Sequence, residues 1–425
     1  MKHLKPSTRS FRNPCCGLFL LPLVSLVAKA EPEFPGFRHP PHEYLKRTPN
    51  DRFTRIKDDL QSGKIAFEYS SEKAYLQSLL RGLDISSHTQ LLVFSTTSLQ
   101  LSRISPRNPR AVYFSEDLYL GWVPGGKMEV IGIDPDWGAI TYIFDTPRTK
   151  VHSPIVRATR CMNCHASSEI GGAPGLLASS VVPGPGGGSL DAFRQEKTGH
   201  GIPFADRFGG WHVTGKHGIK SHWGNLTGLL SPAGLTKVSN EHGQQFSPAR
   251  YPVPSSDILA HLLFEHQVGF VNRFISATYR ARAVLSGAVP EIDQEASGAF
   301  LDAEAASLVR YLLFADEAKF PMDGIEGDSQ LKKSFLSRAK RSSAGHSLRD
   351  FDLSTRIFKY RCSYMIRSAA FLGLPAQLKE RVFGKLGQAL DSAKPLPEYA
   401  YLPAKEKQAI RAILKDTLSG IPKDW

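Results

Sequence analysis

The period of the hydrophobic pattern changes once along this chain, near residue 250, and that change restricts the fold more than any other feature. Before it lie four runs rich in β-branched and aromatic residues: TQLLVFST (89–96), AVYFSEDLYLGWV (111–123), KMEVIGI (127–133) and AITYIFD (139–145). The breakers PGG and DPDWG separate them. Short alternating runs bounded by turn residues predict an antiparallel meander. After residue 250 apolar residues return at three- and four-residue steps, which predicts helices over 255–285, 294–317, 328–341, 360–370, 376–391 and 403–418. Two more helical patterns, near 51–62 and 72–83, precede the strands. The expected class is α+β, an antiparallel β-rich N-terminal part followed by an all-helical C-terminal part. At 425 residues the chain exceeds what one core usually organises. Its regions read as 51–250, mixed α/β, and 251–425, helical, after a proline-rich extended segment at 31–50.

Residues 1–30 have a different character. Lys2, Lys5, Arg9 and Arg12 make a basic, acid-free start, GLFLLPLVSLVA (17–28) is apolar, and Ala28 and Ala30 stand at the −3 and −1 positions of a cut before Glu31. That order is the one a secretory signal peptide shows, and twelve apolar residues interrupted by Pro22 are too few for a comfortable membrane span. The expected mature protein is exported or periplasmic and has no transmembrane span. The leader carries five basic residues and no acidic one, so its removal lowers the formal charge from +13 to +8. A basic exported protein suits an acidic protein partner or an anionic surface, and export argues against nucleic acid.

Removal of the leader also takes Cys15 and Cys16, leaving Cys161, Cys164 and Cys362. Three thiols make neither a disulfide framework nor a four-sulfur zinc site. Two of them fall in TRCMNCHASS (159–168), where His165 directly follows Cys164. C-x-x-C-H is the attachment sequence of c-type haem, and its spacing has a chemical reason. Two residues between the thiols, in a helical turn, set both sulfurs over the porphyrin vinyl groups, to which they add as thioethers. The next residue then offers its imidazole to the iron. A redox dithiol is the alternative reading of the pair. SPIVRATRCMNCHA (153–166) is expected to be a short helix that starts at a serine cap and ends at the haem.

On CMNCHASSEIGGAPGLL (161–177) the chain resembles the c-type cytochromes. The resemblance implies one covalent haem c, iron bound by His165, and a proline carbonyl that accepts a hydrogen bond from the proximal imidazole, for which Pro174 is the match. FSTTSLQLSRISPRNPRAVYFSEDLYLGWVPGG (94–126), RFGGWHVTGKHG (207–218), DILAHLLFEHQ (257–267) and SLRDFDLSTRIFKYRCSYMIRSAAFLGLP (347–375) are similar to a group of large exported bacterial proteins that carry a cytochrome c motif. That likeness implies haem binding and electron transfer and brings no substrate.

The small cytochromes place a methionine some tens of residues downstream as second axial ligand; here the next one after Met162 is Met322. Histidine is better supplied. HGIPFADRFGGWHVTGKHGIKSHWGNL (200–226) holds four, and His217, in a turn after Gly215, is the first expectation for the distal ligand, His222 the second. His266 is a third, on an inward stripe with Leu259, Leu263, Phe270 and Phe274, where a core histidine paired with a buried acceptor is the competing reading. Cys362 reads as a buried free thiol on an apolar helix.

No G-x-S-x-G or H-E-x-x-H sequence occurs, and PGPGGG (183–188) lacks the Lys-Ser/Thr of a phosphate cradle. Electron transfer by a monohaem cytochrome, with an acidic redox partner protein, is therefore the leading expectation. A haem enzyme or gas-binding protein with an open sixth iron position stands second, and a structural or assembly scaffold third.

Overall fold

Strand β1 (Leu91–Val93) opens a seven-stranded antiparallel sheet with β2 (Arg110–Phe114), β3 (Leu118–Trp122), β4 (Lys127–Asp134), β5 (Gly138–Asp145) and β6 (Val156–Arg157). The computed structural model describes residues 32–96, 98–146, 154–192, 199–422 and 425, so the expected leader lies outside the described residues. The order β6-β5-β4-β3-β2-β1-β9 is a meander extended past β1 by β9 (Trp211–His212). Two hairpins, β7 (Val181–Pro183) with β8 (Ser189–Ala192) and β10 (Leu226–Ser231) with β11 (Gly234–Ser239), stand outside this sheet.

Period-two alternation sends Val112, Tyr119, Ile133 and Ala139 to one face, and Tyr113, Leu120, Val130 and Ile140 to the other. Both faces are covered, which is why β3 is buried throughout. Helices α1 (Arg52–Gln61) and α2 (Glu72–Gly82) bring Phe53, Leu76 and Leu79 to the second face. Asp51 caps α1 through the N–H groups of Phe53 and Thr54, and Ser71 caps α2 through that of Ala74.

The first face receives α4 (Ile258–Leu285), 28 residues long and about 42 Å at 1.5 Å per residue. Asp257 caps it, and Phe264 meets Phe114, Tyr119 and Trp211 at ring-centroid distances of 5.4, 6.1 and 6.0 Å. Nearly every side chain along α4 is buried, because α5 (Gln294–Leu312) and α7 (Ala369–Leu372) pack on it; α6 (Ser329–Leu336), α8 (Ala376–Ala389), which packs on α5, and α9 (Ala404–Thr417) complete the helical half. The fold is thus α+β, with an antiparallel β-rich N-terminal half and helices over 258–417. The β-rich and helical regions share this core, in a compact unit from Phe34 to Trp425. No helix among the described residues is long and apolar enough to cross a membrane.

Four segments differ from expectation, one of them α6, which ends at Leu336 rather than 341. The stretch before the motif is not a helix: Val156 and Arg157 pair with Ile143 and Tyr142 as β6, and only a 3-10 turn (Thr159–Cys161) and one α-helical turn, α3 (Met162–His165), follow. The β-branched Ile155 and Val156 suit the sheet edge, and the tertiary ladder outweighs the helical spacing. The expected helix over 360–370 is also broken. Glu406 grips Arg361 through its N–H and guanidinium, and the Ser363 N–H bonds the Leu312 carbonyl at 2.8 Å, so the chain stays non-helical up to Ser363. Cys362 is consequently not on a helix, although it is a buried free thiol whose pKa burial pushes up to about 12. Finally α5 stops at Leu312 rather than 317, where Phe314 takes left-handed backbone at φ 57°.

Candidate functional site

The motif is held against the edge of the sheet by Thr141, in the middle of β5. Its carbonyl accepts from Ala158 N–H and its hydroxyl donates to the Ala158 carbonyl, both at 2.8 Å. Met162 then buries its side chain as an anchor, and the turn presents Cys161 half-buried and Cys164 exposed. Positions three apart on a helical turn share a face, so the two free thiols lie one above the other. Burial raises the Cys161 pKa, with a bond to Thr141 working against it.

His165 is fixed by a reciprocal pair. Its carbonyl accepts from Gly175 N–H at 2.7 Å, and its Nδ1 lies 3.0 Å from the Gly175 carbonyl oxygen. A carbonyl can only accept, so Nδ1 carries the proton and Nε2 keeps the lone pair. Burial, with the charge of Arg110 adding to it, lowers the imidazole pKa against the opposing bond to Gly175, and the ring is neutral at pH 7. Pro174 does not take the expected part. Its carbonyl is already occupied by Ala139 N–H at 2.9 Å, so the accepting group moves one residue on.

What locks this loop is α4. The carboxamide of Asn272 donates to the Leu176 carbonyl at 2.8 Å and accepts from the Leu176 N–H at 2.7 Å, copying a backbone pairing. Ser276 donates to the Gly171 carbonyl at 3.2 Å. Gly175 has no room for a side chain, since a Cβ would collide with Asn272 Oδ1. Gly138, at φ 76°, lets the β4–β5 turn approach the Pro174 carbonyl, where a Cβ would collide.

Across the sheet from the motif runs a row of side chains on the face shared with Thr141: Gly121 opposite Glu129, Glu129 opposite Ile143, Ile143 opposite Val156. Arg110 lays its guanidinium over Gly121 and pairs with Glu129 at 3.0 Å. Burial opposes the Glu129 charge, but Arg110, Gln100 at 3.0 Å and Ser98 at 2.8 Å outweigh it and hold the carboxyl below its usual range. Register sets Glu129 beside Ile143, opposite the strand that leads into the motif, and the charges of Arg110 and Glu129 act on both Cys161 and His165. Apolar side chains neighbour this pair along the chain and in register. Leu99 and Leu101, flanking Gln100, are each 55% exposed, Val156 is 51% exposed, and Ile131 and Ile143 are half-buried.

The histidines expected opposite His165 sit elsewhere. His217 and His222 belong to the loop that docks on the N-terminal end of α4, where Thr214 bridges Asp257 and His217 bridges Ile325. Their ring centroids are 5.4 Å apart, edge to face. The loop that holds His165 grips Asn272, fifteen residues further along α4, about 22 Å at helical rise. Axial nitrogens on one metal are about 4 Å apart, given metal–nitrogen bonds of about 2 Å. His266 is nearer along the helix but wholly buried. Its Nδ1 lies 2.8 Å from His200 Nδ1 and its Nε2 2.7 Å from Ser363 Oγ. It is the core histidine with a buried acceptor, stacked with His200 against Phe314. Beside this pair, buried Arg207 bonds Glu265 at 2.8 Å and the His200 carbonyl at 2.9 Å.

Asn272, Gly175, Arg110 and Glu129 went unnoticed in the sequence. Only Asn272 leaves a trace there, as a polar residue in the apolar run VGFVNRF (268–274). Among the described residues no three His, Cys, Asp or Glu side chains gather as a site for a bare metal ion. Comparison with known proteins finds no matching family model, no similar curated protein and no similar solved structure.

Proposed function

We propose that this protein is an exported monohaem c-type cytochrome that transfers electrons. The observation that carries the reading is the imidazole of His165, with its Nδ1 proton engaged by Gly175 and its Nε2 lone pair left over, next to two free thiols on one helical turn. That donor set fits an iron whose equatorial positions come from a porphyrin: one nitrogen of fixed tautomer for the metal, two sulfurs for the vinyl groups. The surroundings fit as well. Exposed Leu99, Leu101 and Val156 are apolar surface that a flat macrocycle would cover.

When bound, the haem supplies a one-electron Fe(II)/Fe(III) couple. Cys161 and Cys164 would hold it through thioethers, and His165 would offer its Nε2 to the iron. Gly175, itself held by Asn272 through Leu176, keeps the imidazole plane fixed, so the ligand has little to reorganise when charge changes. Glu129 and Arg110 set a fixed dipole on the sheet side, and the basic net charge suits an acidic redox partner.

The remoteness of His217, His222 and His266 favours one second reading, an open sixth position that takes a small ligand. Both readings are tested together. Expressed with a haem c maturation system, the wild type should keep a haem stain on a denaturing gel, and a Cys161→Ala/Cys164→Ala variant should lose it. Wild-type material without retained stain overturns both. A reduced spectrum unchanged by carbon monoxide supports the carrier; one that shifts supports the open position.

A further inference from the structure

We infer that the β10–β11 hairpin anchors the protein to a lipid surface. Of the large apolar side chains exposed among the described residues, Leu229, Leu230, Leu235 and Val238 fall on this one hairpin and Leu190 on the neighbouring β7–β8 hairpin. The two hairpins touch where Gly228 lies against Val182, Leu190 and Leu235.

The distribution of these residues selects the occupant. In the register Leu230 opposes Leu235, on one face, while Leu229 opposes Thr236 and Thr227 opposes Val238, on the other. Leu230 is 68% exposed and Leu229 50%, so both faces present apolar surface at once, on either side of the Ser-Pro-Ala-Gly turn. A strand pair that docks on a protein buries one face and keeps the other polar. A tip that is apolar all round needs a medium that surrounds it, which a bilayer interface provides and a second protein surface does not.

The root of the hairpin has the opposite chemistry. Lys237 is its one charged residue between 226 and 239, with no carboxylate, and its ammonium lies 4.2 Å from the centroid of the Trp223 ring. Tryptophan and lysine are the residues that favour the headgroup level. Lys237 opposes Gly228, so Leu229 and Leu230 lie one and two residues beyond the level of the lysine, about 3–7 Å along an extended strand, a depth that suits interfacial insertion. The formal charge, +13 for the whole sequence and +8 without residues 1–30, adds attraction to an anionic surface.

The test is sedimentation of the purified protein, without residues 1–30, with vesicles of phosphatidylcholine and phosphatidylglycerol at about 7:3. The wild type should pellet with them, more weakly as salt rises. Leu230→Asp/Leu235→Asp should lower the partition coefficient at least tenfold with an unchanged circular dichroism spectrum, while Leu372→Asp, an exposed leucine elsewhere, should bind as the wild type does. A Leu230→Trp variant should shift its emission to the blue on mixing with vesicles, which checks insertion without removing apolar surface. Wild-type protein that stays in the supernatant overturns the inference, as does a double aspartate variant that still pellets. A wild-type dimer that the aspartates dissociate, with no vesicle binding, overturns it in favour of a second copy of the chain.

Discussion

Asn272→Ala tests whether α4 holds the proximal loop as its contacts imply. The side chain makes two hydrogen bonds, 2.8 Å to the carbonyl and 2.7 Å from the N–H of Leu176, a residue buried in the core. Alanine removes both partners and leaves a buried donor and a buried acceptor unsatisfied. Each unmade bond of that kind costs about 1–3 kcal/mol, and partial relaxation of the loop recovers some of it, so the expected loss is about 2–4 kcal/mol. Equilibrium urea unfolding of the full chain, followed by circular dichroism and tryptophan fluorescence, measures it. Amide exchange adds a local reading: Leu176 and Gly175 should lose protection by a larger factor than the strands of the main sheet. A loss below about 0.5 kcal/mol, or exchange that speeds up uniformly, would show that the loop is held by something other than this carboxamide. The chain of contacts from α4 to His165 would then fail as an explanation for the fixed imidazole.

Gly138→Ala should cost about 2–3 kcal/mol, because φ is 76° there and the new Cβ meets the Pro174 carbonyl; a change within 0.5 kcal/mol on the same urea assay contradicts the close approach. The fold should weaken as pH falls from about 7 to about 5. Burial lowers His212, His261 and His266 to about 3 and His42 and His222 to about 4, with His200 also well below its usual value, so unfolding takes up protons in this window and acid favours the unfolded chain. Glu265 and Glu317, raised to about 7, Asp117, raised to about 6, and Asp134 and Asp257, raised by burial, act with the opposite sign, but they are five groups against nine, since burial also lowers His165, His217 and His242; stability flat or rising between pH 7 and 5 refutes the balance. In haem-loaded protein His217→Ala and His222→Ala should each leave the iron spin state unchanged, and a low-spin to high-spin conversion in either would refute the separation along α4.

The α+β class and most elements were legible because they rest on local periodicity. The runs around 127–133 and 139–145 are strands almost residue for residue, and α1, α2, α4, α8 and α9 begin within a few residues of their expected starts. Capping side chains explain part of that accuracy, since Asp51, Ser71 and Asp257 each satisfy orphan N–H groups where the pattern begins. The segments that were misread are those in which a distant partner overrides local preference: β5 draws Val156 into the sheet, and Glu406 holds Arg361 out of a helix. The motif itself is visible because C-x-x-C-H is a local arrangement. Its support is not. Arg110, Glu129 and Asn272 are up to 162 residues apart in sequence, and only the sheet register and the course of α4 bring their neighbourhoods to His165. The grouping of histidines between 200 and 222 does not carry over into space, since His200 and His212 are buried in the core and His217 and His222 dock on the N-terminal end of α4.

The main sheet is finished on both sides by strands of two residues, β6 and β9. A further chain arriving at either margin would find room for one or two ladder bonds before the backbone turns away, too few to template continued pairing. The sheet is therefore shielded from open-ended polymerisation by brevity at its borders rather than by charge. Longer exposed margins belong to the β10–β11 pair, whose strands have six residues each, so under stress that ribbon is where self-association of this protein should begin.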